Sequence, residues 1–221
     1  MKTFIYKYKH GWILSYMFIY FIWFLYLENR TDIIYTSMHS WVDDYIPFNE
    51  LFVIPYILWF AYIVITVLYF FFTSKEEFYH CTAFLFIGMT ICLIIYTLWP
   101  NAQDLRVTDF ERNNIFVDLV KVFYANDTST NVCPSIHCFN SIGAHIAISR
   151  NARLKKYPVI QAVSFVLMIS ICLSTMFIKQ HSFVDFVAAI VLSIIMYFAV
   201  YKLDYSALFV KEKKTEEEAS L

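Results

Sequence analysis

The sequence contains few charged residues and no excess of basic ones. Asp, Glu, Lys and Arg make up 16% of its 221 residues, whereas soluble globular domains contain about 25%, so the chain lacks the charge that covers a water-facing surface. Its 17 Lys and Arg are balanced by 18 Asp and Glu, which removes the basic footprint of a nucleic-acid-binding protein. Intrinsic disorder is excluded because 60% of the residues are hydrophobic and the net charge is only −1. The composition predicts a polytopic membrane protein with no nucleic-acid partner.

Glycine, proline and metal-ligand patterns are also scarce. Three glycines and five prolines provide almost none of the broken helices that transporters use at the membrane midplane. The five cysteines show no C-x-x-C spacing, and no acidic cluster has the spacing of magnesium ligands. We therefore expect the cysteines to be small buried residues, and we expect no bound metal and no cofactor.

Apolar segments organise the chain as one helical domain. A helix needs roughly 20 mostly apolar residues to cross a bilayer, and six segments with at most one charged residue approach that length. They cover residues 12–27, 51–72, 81–99, 132–149, 158–178 and 182–201. The fourth segment is the most polar, with His137, Asn140 and His145, and such residues usually face the interior of a bundle. We predict an all-α, six-helix transmembrane domain over residues 1–210 and a charged, disordered cytoplasmic tail over residues 211–221.

The basic residues set the expected orientation. Six crossings put both termini on one side of the membrane. Twelve of the 17 Lys and Arg lie at the termini or in the turns near residues 75 and 150–156, and five lie on the other side. Because Lys and Arg accumulate on the cytoplasmic side, both termini are expected in the cytoplasm. The loops at residues 28–50 and 100–131 then face outward, in a protein of the plasma membrane.

Two short motifs distinguish this chain from a generic six-helix protein. The sequence NVCPSIH at residues 131–137 opens the fourth segment, and KQHSFVD at residues 179–185 lies at the turn from the fifth segment into the sixth. His137 and His181 are 44 residues apart. One inward crossing, the basic turn and one outward crossing occupy that interval, so both histidines return to the outer membrane edge.

The first motif is suited to binding a phosphate. Pro134 fits the first turn of a helix because that position needs no amide hydrogen. The free backbone N–H groups at residues 135–137 then lie at the positive end of the helix dipole, which favours an anion. Lys179 and, from the preceding loop, Arg106 are expected to supply positive charge to the non-bridging phosphate oxygens.

The second motif has the arrangement of an activated nucleophile. His181 and Asp185 are four residues apart, so on a helix the carboxylate can accept the imidazole Nδ1–H. That contact fixes the tautomer and leaves Nε2 free to attack. A single histidine at a membrane interface is more often structural, as is a single His–Asp pair. Their joint occurrence at two helix starts on one side favours a catalytic site.

These motifs resemble the membrane-embedded type-2 phosphatidic acid phosphatase superfamily, whose members have six spans and the motifs KxxxxxxRP, PSGH and SRxxxxxHxxxD. Residues 134–137 resemble the second motif, in the PSLH variant of members similar to inositol-phosphorylceramide synthases, and residues 174–185 resemble the third. Thr175 replaces the arginine of the third motif. Arg106 is followed by valine instead of proline, and Trp99 replaces the lysine of the first motif.

The resemblance implies a role for each matched residue. His181 would be the nucleophile that forms a phosphohistidine, and Asp185 would orient it. His137 would be the acid for the leaving group, and Ser135 would be a phosphate ligand. The expected protein is a lipid phosphate or diphosphate phosphatase with an extracytoplasmic active site, whose partners are its lipid substrate and the membrane lipids. A lipid phosphotransferase of the inositol-phosphorylceramide synthase type and a non-catalytic lipid-binding or transport protein remain as alternatives.

Overall fold

The computed structural model describes residues 8–203, and within them it contains seven α-helices and almost no strand. The helices are α1 (Tyr16–Glu28), α2 (Val53–Thr73), α3 (Lys75–Leu98), α4 (Ile115–Asn126), α5 (Ile136–Arg150), α6 (Pro158–Phe177) and α7 (Phe183–Tyr201). The strands are β1 (Thr36–Ser37) and β2 (Asn101–Ala102), which pair in parallel. The all-α prediction is confirmed. The tail predicted over residues 211–221 lies outside the described residues.

Five helical stretches are long and apolar enough to span a membrane. They are Lys9–Glu28, which joins a short 3-10 helix to α1, and Glu50–Thr73, Lys75–Leu98, Pro158–Phe177 and Phe183–Tyr201. The predicted count of six is not confirmed, because α5 has only 15 residues and is about 22 Å long. The helix begins at Ile136, since the preceding residues 131–135 form a non-helical approach to it.

Helix α5 is the central helix of the bundle. It packs against α2, α3, α6 and α7, which accounts for its polar and small residues. Asn140 and Ser141 are buried in its middle, facing protein instead of lipid. Its approach to α3 is close: a Cβ added at Gly88 of α3 would lie 1.9 Å from the ring of Phe139. Any side chain at position 88 would therefore push the two helices apart.

The predicted outer loop at residues 100–131 contains a helix that the sequence did not predict. Helix α4 is capped by Asn114, whose side chain accepts hydrogen bonds from the backbone N–H of residues 116 and 117. Its buried face, Val117 and Val120, lies over the apolar cluster at the start of α2. A helix of 12 residues is marginal alone and depends on such packing, which explains why its own sequence gave a weak signal.

The loop before α2 holds the beginning of α7 in place. The buried Asp43 carboxylate accepts hydrogen bonds from Ser182 Oγ at 2.6 Å and from the backbone N–H of Phe183 at 2.7 Å. Helix α7 also begins with a capping box formed by Ser182 and Asp185. These contacts fix the first turn of α7 at the same end of the bundle as the first turn of α5.

Candidate active site

The structure brings His137 and His181 into contact. His137 lies in the first turn of α5, and His181 lies in the turn between α6 and α7. The Nδ1 atom of His137 is 3.3 Å from Nε2 of His181, and the ring centroids are 5.5 Å apart. Tyr56 and Trp59 of α2 hold His137 from its other side, with ring centroids 4.8 Å and 4.3 Å away.

Asp185 holds the second ring nitrogen of His181. Its Oδ2 atom lies 3.2 Å from His181 Nδ1 and also accepts the backbone N–H of Ser182 at 2.9 Å. His181 is 7% exposed and Asp185 is fully buried. Burial lowers the pKa of His181, but the hydrogen bond to Asp185 and the charge of its carboxylate outweigh this, so the pKa is raised above its ordinary value.

This order of contacts determines where the protons lie when both rings are neutral. The Asp185 carboxylate can only accept a hydrogen bond, so Nδ1 of His181 carries the proton and Nε2 carries the lone pair. Nδ1 of His137 must then be the donor in the contact with His181 Nε2. The result is a relay in one direction, from His137 to His181 to Asp185.

The turn that presents His181 has an unusual backbone. Lys179 has a φ of 55°, in the left-handed region that non-glycine residues seldom adopt. The Thr175 carbonyl accepts the backbone N–H groups of both Gln180 and His181 at 2.9 Å. Thr175, which replaces the arginine of the family motif, is itself fully buried. It therefore supports the turn through its backbone.

Asn101 organises the approach to α5, and sequence reasoning did not identify it. Its Oδ1 atom accepts the backbone N–H groups of Val132 and Cys133, both at 2.8 Å, and its Nδ2 donates to the Cys133 carbonyl at 3.1 Å. Asn101 is fully buried. A single asparagine in a predicted loop carries no signal for this role, because the contact spans 31 residues of sequence.

Ser135 is placed as a helix cap. Its Oγ atom accepts the backbone N–H of Cys138 at 3.3 Å, and its own backbone N–H donates to the Asp185 carbonyl at 3.1 Å. The residue is fully buried. It thus joins the first turns of α5 and α7 directly, next to the two histidines.

The two predicted phosphate-binding cations turn toward backbone carbonyls. Lys179 Nζ donates to the carbonyls of Asp43 at 2.9 Å and Ile46 at 2.5 Å. The Arg106 guanidinium donates to the carbonyls of residues 124, 127 and 128 and to Gln180 Oε1 at 2.6 Å. Burial lowers the pKa of each cation. The structure therefore brings His137, His181 and Asp185 together, while Arg106 and Lys179 crosslink the surrounding loops.

A cavity of about 600 Å³ leads from the apolar interior of the bundle to the two histidines. Helices α1, α2 and α3 form its apolar walls, and along α3 it runs from Leu85 to Tyr96, a rise of roughly 16 Å. The polar residues that line it are Asp127, Thr128, Thr130, Asn131, Asn140 and Gln180, together with both histidines. None of the described residues that line it is lysine or arginine.

Asp127 and Gln180 are the cavity residues that sequence reasoning missed. Asp127 is half-buried and accepts the Tyr56 hydroxyl at 3.3 Å. Burial raises the pKa of its carboxyl, and the nearby His181 and Arg106 oppose this rise. Gln180 lies within the second motif, immediately before His181. A glutamine beside a histidine is common, so its position alone did not indicate a role.

Comparison with known proteins gives one match. Residues 108–208 match the family model of the PAP2 superfamily, and this segment contains α4 to α7 with both histidines and Asp185. Neither a curated protein nor a solved structure matches the chain. The resemblance to type-2 phosphatidic acid phosphatases is thereby confirmed, whereas the closer likeness to inositol-phosphorylceramide synthases is not. Residues 108–208, slightly less than half of the chain, thus resemble the PAP2 superfamily, whose members are phosphatases or phosphotransferases.

Proposed function

We propose that the protein is an integral-membrane phosphatase that hydrolyses a lipid phosphate or diphosphate through a phosphohistidine at His181. The observation that carries this proposal is the relay from His137 to His181 to Asp185 at the polar end of an apolar cavity. An apolar cavity suits a lipid tail, and a tautomer-fixed histidine suits attack on phosphorus.

In the first step, the lone pair of His181 Nε2 forms a bond to phosphorus while the bond from phosphorus to the leaving oxygen breaks. His137, protonated on both ring nitrogens once the substrate is bound, gives one proton to that oxygen and becomes neutral, so the lipid leaves as an alcohol, or as a lipid phosphate if the substrate is a diphosphate. The His181 ring becomes cationic as the N–P bond forms, and the Asp185 carboxylate stabilises that charge.

In the second step, a water oxygen bonds to phosphorus and the N–P bond breaks. The water proton passes to His137, which is thereby restored as the acid, and inorganic phosphate leaves. Both histidines return to their starting protonation states. No metal is required at either step, because the protons and the phosphoryl group move between side chains and water.

The contact between the histidines must open for this chemistry. An attacking nitrogen lies about 3–3.5 Å from phosphorus, and a proton donor lies about 2.6–3.2 Å from the leaving oxygen. A phosphoryl group between the rings therefore separates the two nitrogens by at least roughly 6 Å, compared with the observed distance of 3.3 Å. The rings of Tyr56 and Trp59 are the surfaces along which His137 would shift.

The site is proposed to face the extracytoplasmic side of the plasma membrane, with both termini in the cytoplasm. The two histidines lie at the beginnings of α5 and α7, whereas α5 ends at Arg150 beside the basic turn. Because basic residues favour the cytoplasmic side, this arrangement supports an outward-facing site that lipids enter from the outer leaflet.

The test is phosphate release by purified protein from a panel of lipid phosphates, with EDTA present and no added metal. We expect activity on at least one lipid. Activity that EDTA abolishes and Mg²⁺ restores would contradict the histidine mechanism.

The roles of the two histidines are separated by the leaving group. His181→Ala should be inactive on all substrates, because no phosphoenzyme can form. His137→Ala should lose about 10²–10⁴-fold on a lipid phosphate, yet recover much of this on an aryl phosphate, since a nitrophenolate leaves without a proton. Equal defects of the two variants on both substrates would mean that the roles are assigned wrongly.

A lipid phosphotransferase is the second candidate, and the charges of the cavity favour it. A phosphodiester carries one negative charge where a phosphomonoester carries up to two, and the lining residues described offer a carboxylate, Asp127, and no lysine or arginine. In this reaction an alcohol takes the place of water in the second step. With a phosphodiester substrate, adding an alcohol such as glycerol or ceramide during turnover should then yield a new phosphodiester at the expense of the phosphomonoester that water would release.

A further inference from the structure

The side-chain NH₂ of Gln180 is the one polar group of that residue without a hydrogen-bond partner among the described residues. Its backbone N–H donates to Thr175, its carbonyl accepts from the Gln103 amide, and its Oε1 accepts from Arg106. Its Nε2 atom is buried and has no hydrogen-bond partner among the described residues. Buried donors are nearly always paired, so an unpaired donor on a residue that lines a cavity marks a position where a ligand can accept a hydrogen bond.

The orientation of this amide is fixed by its neighbour. A guanidinium can only donate, so the oxygen of Gln180 must face Arg106, at 2.6 Å, and the NH₂ must face the other way. Gln180 is 3% exposed and lines the same cavity as His181, the next residue in the chain. The donor is thus oriented by Arg106 and belongs to a side chain that lines the same cavity as His181.

We propose that Gln180 Nε2 donates a hydrogen bond to a non-bridging oxygen of the phosphoryl group held at His181, and that Arg106 acts as the positioning residue for this amide. The inference rests on the proposed function, because it assumes a phosphoryl group at the histidines. The phosphate contact that the sequence analysis predicted for Arg106 and Lys179 is thereby made by the neutral side chain of Gln180.

Orthovanadate binding tests the contact without requiring turnover, because a ligand that binds only the folded protein raises its Tm. Gln180→Met removes the donor without adding charge, and its apparent Kd for orthovanadate should rise roughly 10- to 100-fold, the effect of losing one hydrogen bond to a charged group. Gln180→Glu keeps the acceptor for Arg106 but replaces the NH₂ with an oxygen, so its binding should be lost while its Tm without ligand stays near that of the wild type.

The pair of variants separates recognition from structure. A purely structural glutamine, needed only to accept from Arg106, predicts that Gln180→Glu binds orthovanadate like the wild type and that only Gln180→Met is impaired. Gln161→Glu is the matched control, because the Gln161 amide donates to the Ile148 carbonyl at 3.3 Å near the opposite end of the bundle. It should leave orthovanadate binding unchanged.

The role of Arg106 has a separate readout. Arg106→Lys keeps the charge but loses the planar guanidinium that orients the Gln180 amide. It should therefore weaken orthovanadate binding when Gln180 is present and have no further effect in the Gln180→Met variant. Additive effects of the two substitutions would show that Arg106 does not act through the amide.

The outcomes distinguish this inference from the proposed function. Unchanged orthovanadate binding by Gln180→Met, or no binding by the wild type, would overturn the inference even if lipid phosphates are hydrolysed. Binding that depends on Gln180 in a protein that hydrolyses none of the lipids would support the contact and overturn the proposed phosphatase activity.

Discussion

Replacing Asp185 by asparagine should change both the rate and the pH dependence of the enzyme. The change is nearly isosteric, and the structure shows how asparagine would fit. Oδ2 of Asp185 accepts from His181 and Ser182, while Oδ1 is buried without a partner. An asparagine oxygen at the Oδ2 position keeps both hydrogen bonds, and the amide nitrogen takes the position that has none. The tautomer of His181 and the cap of α7 are therefore retained, and the charge is lost.

The loss of charge sets the expected decrease in rate. Two unit charges at the observed contact distance of 3.2 Å attract by about 5 kcal/mol at an effective dielectric constant of 20. The neutral hydrogen bond that remains offsets about 1 kcal/mol of this. A net loss of about 4 kcal/mol in stabilising the cationic His181 ring lowers the plateau kcat by roughly 10³-fold.

The pH profile of Asp185→Asn should differ from that of a variant that only loses activity. His181 attacks only when neutral, so activity rises as the pH passes above its pKa, which Asp185 holds above the ordinary value. Without that carboxylate, burial is the main remaining influence and lowers the pKa of His181. The acidic limb of kcat/KM should therefore move to lower pH while the plateau falls.

The assay is kcat/KM against pH on one lipid phosphate, with Ser182→Ala as the control. That variant removes the serine half of the capping box but keeps the carboxylate, so its Tm should fall while its acidic limb stays in place. An acidic limb that does not move in Asp185→Asn would show that the titrating group is not His181. A plateau equal to that of the wild type would refute the role of the carboxylate.

Three further predictions concern orientation, the cavity and the approach to α5. Cysteines at the exposed positions Glu111 and Lys155 should differ in labelling, with an impermeant maleimide on intact cells reacting at 111 and not at 155; the reverse pattern would invert the topology. Ile63→Trp, in the apolar wall, should raise KM for a long-chain lipid phosphate much more than for a short-chain one, and equal changes would mean that the tail lies elsewhere. Asn101→Asp places an acceptor against two carbonyls and should reduce the free energy of unfolding by about 2–3 kcal/mol, unlike Asn126→Asp at an exposed site, with denaturant titration as the measurement.

The helices of the bundle could be predicted well because hydropathy is a local property. The predicted segments at residues 158–178 and 182–201 correspond to α6 and α7 within a residue or two. The predicted segment at 132–149 began four residues before α5, because hydropathy does not register that Asn101 holds residues 132 and 133 in a non-helical path. Helix α4 was missed for a related reason, since its stability depends on a surface provided by distant residues.

The sequence predicted which residues of the candidate site lie together better than it predicted the directions of their side chains. The i, i+4 spacing of His181 and Asp185 and the return of His137 to the same end follow from helical geometry and topology alone. The hydrogen-bond partners of a long cationic side chain do not follow from geometry and topology. The Lys179 ammonium and the Arg106 guanidinium are each held by carbonyls that belong to other loops. The sequence alone therefore could not predict which groups these two side chains contact.

The indirect placement of Arg106 changes how much its charge contributes. With Gln180 between them, the guanidinium and a bound phosphate oxygen are roughly 7 Å apart, from two hydrogen bonds and the width of an amide. At an effective dielectric constant of 20, a pair of unit charges at that distance attracts by about 2 kcal/mol, compared with about 4 kcal/mol at 4 Å. About half of the electrostatic effect of direct contact is therefore retained. The same guanidinium meanwhile holds the carbonyls of residues 124, 127 and 128, so one side chain both shapes the polar end of the cavity and lends it positive charge. A site of this kind balances the single charge of a phosphodiester more fully than the double charge of a phosphomonoester.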